Sequence, residues 1–172
     1  MAAALDKYMD LKGLRKERLA VLKTGVKHSL KRDFQFAFNS FNLGNTYLNI
    51  SKYRKAIKVH DTSLAVFREL ENRQGEGAGL GNLGRAYAAL GNMPKAISLH
   101  EEALNISREI GDKKNEGCWL GNLGRAYAKL GDMRKALYYI RLSVELLSQI
   151  YPESHSSVIK EKELLKYLLR HS

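Results

Sequence analysis

Arg85 and Arg125 stand 40 residues apart in this chain, and so do His60 and His100. These are the residues whose type and spacing most plainly suggest chemistry. A guanidinium is a planar fork of donors that grips a carboxylate through two parallel hydrogen bonds, so an arginine repeated along one surface describes a binder of acidic segments. A repeated histidine describes a metal site only if the rings converge. Stacked helices lie about 8–10 Å apart, whereas zinc ligands approach to about 2 Å, so His60 and His100 are expected at an interface or core edge instead. His28, His155 and His171 have no cysteine or carboxylate at ligand spacing.

Other signals are weaker. Gly79-Leu80-Gly81-Asn82-Leu83-Gly84 formally satisfies the dinucleotide pattern G-x-G-x-x-G. That pattern works only between a strand and a helix N-terminus, and one period later Trp119 stands in place of Gly79. Cys118 has no recognisable His, Asn or Asp partner, and the serines lack a nucleophile-elbow context. The sequons Asn49-Ile-Ser51 and Asn105-Ile-Ser107 fall at helical positions and are discounted. No acid, base and nucleophile set emerges, which predicts a binding protein without cofactor or metal and not an enzyme.

The elements that position these residues follow from a repeat. GNLGRAYA occurs at 81–88 and again at 121–128, with a degenerate copy, FNLGNTYL, at 41–48. The register continues through Lys55-Ala56-Ile57, Lys95-Ala96-Ile97 and Lys135-Ala136-Leu137. Within one unit Leu80, Leu83, Tyr87 and Leu90 share a helical face, Gly91-Asn92 breaks the helix, and Pro94 opens a second amphipathic helix that ends at Gly111-Asp112. Each unit is therefore a helical hairpin. No segment alternates with period two, so no strands are expected.

With 172 residues, 44% hydrophobic and 27% charged, the chain suffices for one domain of about four short repeats. No run approaches the roughly 18 continuous apolar residues of a membrane span. The start, MAAALDKYMDLKGLRKERL, meets charges before a secretory apolar core forms, and Cys118 is the one cysteine. Both predict a reducing, cytoplasmic setting. The net charge of +11 concentrates at the ends, with +5 over residues 1–40 and +4 over 121–172 against 0 over 81–120. Such an excess favours acidic partners: peptide, nucleic acid or anionic lipid.

The units resemble tetratricopeptide repeats. The family's bulky position falls on Ser40, Leu80 and Leu120, its Leu-Gly pair on Leu43-Gly44, Leu83-Gly84 and Leu123-Gly124, and its tyrosine on Tyr47, Tyr87 and Tyr127. The small residues of the second helix fall on Ala56, Ala96 and Ala136, then on Ser63, Ala103 and Ser143. The unit of 40 residues is longer than the usual one of about 34, and Arg68, Arg108 and Ser148 stand where the family has proline. In these long units the chain is similar to Pins/LGN-type adaptors, with kinesin light chains a more distant likeness. The resemblance implies an all-α, right-handed superhelical solenoid of antiparallel hairpins. Its expected divisions are an N-terminal helical segment at 1–32, repeats at 33–72, 73–112 and 113–151, and a leucine-rich capping helix within 153–172.

The resemblance also implies a concave groove lined by the first helices. Its positions carry over to Phe38, Phe41, Asn45, Leu48 and Asn49, then Ala78, Gly81, Arg85, Ala88 and Ala89, then Cys118, Gly121, Arg125, Ala128 and Lys129. Arg85, Arg125 and Lys129 are expected to meet carboxylates of an extended acidic peptide. Asn45, Asn49, Asn82 and Asn122 would hold its backbone amides, and Phe38 and Phe41 would anchor one end. Gly81 and Gly121 serve either packing or room for a bound chain, and Arg85 and Arg125 pair either with a ligand or with Glu76, Glu116 or a neighbouring unit. The leading expectation is a protein-interaction adaptor for an acidic segment. Nucleic-acid binding through Lys7–Arg32 and Lys160–Arg170, and self-assembly through the terminal helices, are the alternatives.

Overall fold

The computed structural model of the protein describes residue 20 and residues 34–171, so the expected N-terminal segment, residues 1–32, lies outside the described residues apart from the helical Ala20. The described residues contain no strand and form seven helices between 34 and 170: α1 Phe34–Asn49, α2 Tyr53–Glu69, α3 Arg73–Ala89, α4 Met93–Glu109, α5 Lys113–Lys129, α6 Met133–Ile150 and α7 Ser156–Arg170. Each packs on the next in sequence, which makes an all-α solenoid of antiparallel hairpins.

The turns repeat every 20 residues, at half the sequence period. Residues 51, 71, 91, 111 and 131 all adopt left-handed backbone, with φ between +51° and +83°. Glycine fills the last three without steric cost, whereas Ser51 and Glu71 adopt the same conformation with a side chain. One residue later Asn72, Asn92, Asp112 and Asp132 cap the following helix, each Oδ1 accepting the N–H of Gly75, Lys95, Asn115 and Lys135 at 2.7–3.2 Å.

Within the hairpins, glycine lets the helices approach. A Cβ at Gly44 would lie 2.5 Å from the His60 ring, one at Gly84 2.6 Å from the His100 ring, and one at Gly124 2.5 Å from Ile140. His60 and His100 are thus fully buried at the interface between paired helices and not at a core edge, and in the third hairpin isoleucine fills the same notch. Ala56, Ala96 and Ala136, with Ser63, Ala103 and Ser143, expose no surface. Each is a site where a larger side chain would push the paired helices apart.

The joints between hairpins use ion pairs. Arg68 and Arg108, which replace the family's proline, reach across to Glu76 and Glu116 at 2.8 and 2.9 Å. Each glutamate also takes a second cation, Arg73 or Lys113. The third joint is built differently. Forty residues on, the corresponding positions are Ser148 and Ser156, and the chain leaves α6 through an extended Tyr151 followed by Pro152.

Candidate functional site

The first helix of each hairpin contributes to one cleft of about 380 Å³. Phe41 comes from α1, Ala78, Asn82 and Arg85 from α3, and Asn115, Cys118, Asn122 and Arg125 from α5. Its far end is closed by α7, through Ser157, Lys160 and Glu161. An apolar pocket of about 300 Å³ adjoins it, sharing Phe41 and Ala78 and lined further by Phe34, Phe38 and Phe67.

A polar chain runs along the cleft floor. The Asn82 amide donates to Asn45 Oδ1 at 2.7 Å, linking the first two hairpins, and Asn82 Oδ1 accepts from Arg85 Nη1 at 3.1 Å. Asn82 is buried, so this network orients the guanidinium, while Arg85 itself remains exposed. Asn122 repeats the contact to Arg125 at 3.3 Å. Arg125 differs in having a carboxylate partner, Glu161 of α7, which is only 5% exposed. Glu76 and Glu116 are held at the joints, so neither arginine pairs with the acid on its own helix.

Of the expected groove residues, the structure places Phe41, Ala78, Asn82, Arg85, Cys118, Asn122 and Arg125 on the cleft, and Asn45 behind Asn82. Phe38 belongs to the adjoining pocket, 47% exposed and stacked on Phe34 at 6.2 Å between ring centroids. Asn49 and Lys129 are the exposed last residues of α1 and α5 and do not line the cleft. The space over Gly81 and Gly121 is filled by other side chains of the protein. A Cβ at Gly81 would overlap the Trp119 ring, and one at Gly121 would lie 2.9 Å from Glu161 Oε1. Gly81 serves packing between hairpins, and the space over Gly121 is filled by the Glu161 side chain.

Sequence reasoning missed Glu161, although the register reaches it, because residue 161 follows Gly121 by one period. It also missed Asn115, and it read Lys160 only as part of a basic end and not as a cleft residue. In the basic stretch Lys160–Arg170, Lys162 is paired with Glu153. The glycines of the G-x-G-x-x-G match lie within α3, against Leu64, Trp119 and His100. Burial, and then the charge of Glu161, push the Cys118 thiol above its ordinary value, which makes it a poor nucleophile. Burial, and then the charge of Arg85, hold His60 down to about 4; His100 falls to about 4 by burial and both arginines.

The tetratricopeptide repeat profile matches residues 36–109 and, overlapping, 75–149. Similar solved structures include the nearly identical repeats of a kinesin light chain from Podosopora anserina, 18% identical, with a TM-score of 0.74 over 97% of this chain and 83% of that one. The repeat domain of Arabidopsis FLU is 22% identical, with a TM-score of 0.63 over 66% of this chain and 95% of that one. The type III secretion translocator chaperone SycD of Yersinia enterocolitica is 16% identical, with a TM-score of 0.66 over 85% and 92%. At these identities the likeness concerns the fold, and the Pins/LGN likeness rests on sequence motifs alone. No curated protein matches the chain.

Proposed function

Because the chain belongs to the tetratricopeptide repeat family, we propose that it is a non-enzymatic protein-interaction adaptor that takes an extended acidic segment of a partner into the cleft between α1, α3, α5 and α7. The observation that carries this reading is the state of Arg85. Its guanidinium is exposed within a concave site and held by a neutral amide, Asn82, and among the described residues it forms no ion pair with a carboxylate. An oriented cation of this kind is complementary to a partner's acid. The half-buried amide of Asn122 lies on the same cleft beside Arg125 for the peptide backbone, and the phenylalanine pocket offers an apolar anchor at the other end.

Fluorescence anisotropy with fluorescein-labelled hexaglutamate tests the reading. The wild-type chain is expected to bind it at physiological salt, and Arg85→Glu to weaken binding at least about tenfold, in line with the loss of a charge-assisted hydrogen bond. Unchanged affinity in Arg85→Glu, with helicity retained, overturns it.

A further inference from the structure

We infer that Glu161 is an internal ligand of the cleft: its carboxylate holds the place at Arg125 that the second acid of a two-carboxylate partner segment takes when α7 is displaced. The inference rests on the reading of the cleft as an acidic-peptide groove.

Arg85 and Arg125 occupy the same position of successive repeats, are oriented by the same neighbour, Asn82 or Asn122, and face the same cleft. They differ in one respect. Arg125 already binds a carboxylate and Arg85 does not. The carboxylate is brought by α7, seated against Gly121, where no side chain competes for the space. The chain itself thereby displays what an arginine at this position recognises.

The seat is not fully satisfied. Arg125 takes Oε1, while Oε2 is buried with no hydrogen-bond partner among the described residues. A buried acceptor left unpaired weakens the hold of the group that carries it. Nor does the joint that precedes α7 have the ion-pair latch of the other two, because Ser148 and Ser156 stand where Arg108 and Glu116 would be. The helix has 15 residues against 17 in each of α2 to α5, and its buried residues are Val158, Glu161 and Leu168. Ile159 and Tyr167 remain exposed on it. The helix is thus held by the apolar contact of Val158, Leu164, Leu165 and Leu168, the last three in the cluster with Ala136 and Ile140 of α6, and by one carboxylate, the polar tie for which a partner carrying its own carboxylate competes.

The occupant is therefore an extended peptide with two acidic side chains, one for Arg85 and one for Arg125. A segment with a single acid reaches Arg85 without disturbing α7.

The test uses the full chain with labelled hexaglutamate, reading affinity by anisotropy and the hydrogen exchange of the 156–170 amides by mass spectrometry. Saturating probe is expected to speed exchange in α7 about tenfold or more, and Glu161→Gln, which keeps the shape and removes the charge, to tighten binding by about the same factor. Val158→Asp, which loosens α7 without touching either arginine, is expected to act in the same direction. Glu163→Gln, an exposed change on the same helix, is expected to match wild type. If the probe binds and Arg85→Glu weakens binding at least about tenfold, yet α7 exchange and the affinities of Glu161→Gln and Val158→Asp stay at wild-type values, α7 is a fixed cap and this inference fails while the groove reading stands. If Arg85→Glu binds as wild type does, the groove reading fails and this inference with it.

Discussion

The indole of Trp119 lies flat in the space that a side chain at Gly81 would take, so the second and third hairpins meet through a ring set against bare backbone. Trp119 is buried, donates from Nε1 to Ser107 Oγ at 3.2 Å, and stacks on His100 with 5.9 Å between centroids. The contact joins three helices, α3, α4 and α5.

Gly81→Ala is accordingly expected to displace the ring and cost about 1–3 kcal/mol, the usual range for overpacking. Trp119 is the single tryptophan, so its emission should shift to the red as the indole gains solvent. Gly91→Ala is the matched control. Its φ is +83° with open space around it, so it should lower stability through the backbone while leaving the emission unchanged.

Ser51→Gly and Glu71→Gly should stabilise the chain by about 1 kcal/mol each, since both residues hold the left-handed conformation at which the later turns use glycine. Thermal melting of the single and double variants checks this, and the two gains should add because the positions lie at different turns.

Acid should destabilise the fold through His60 and His100. Their folded values, about 4, lie below the ordinary 6.5, so between those limits the unfolded chain binds more protons. The stability they contribute is fully present above pH 6.5 and is lost as pH falls toward 4, by up to about 3 kcal/mol per histidine. His100→Ile copies Ile140 of the third hairpin and should flatten the pH dependence measured by urea unfolding between pH 4 and 7.

Glu76→Gln and Glu116→Gln should each cost about 1 kcal/mol, because each glutamate draws two cations to a joint between hairpins. A double-mutant cycle with Arg108→Ala should return a coupling energy for Glu116, measured at low salt where the pair is least screened.

The hairpins were legible in the sequence because they arise from local signals: the period of the apolar residues and the breaks at Gly91-Asn92 and Gly111-Asp112. Ser156–Arg170 was equally readable as a helix from its leucines. Its capping role was expected as well, but that it would bring Glu161 to Arg125 was not. The Leu-Gly-x-x-Tyr motif stops at the third hairpin, and only by carrying the register forward past Pro152 does Glu161 fall beneath Gly121. The role of Trp119 was hidden for a related reason, since the choice at Gly81 between packing and room for a bound chain stayed open until the neighbouring helix was in place. Spacing along a chain locates a residue on its own helix, while the partner across an interface depends on how far neighbouring helices approach.

Identical left-handed turns at 91 and 131 make this chain modular at the level of recombination. An unequal crossover between the two GNLGRAYA segments would insert or delete one whole hairpin, rejoining compatible caps and preserving the face that carries the arginine. Gain of a unit adds one more arginine to the row, and loss removes one, so the charge of the cleft changes in whole steps without any new fold having to be invented.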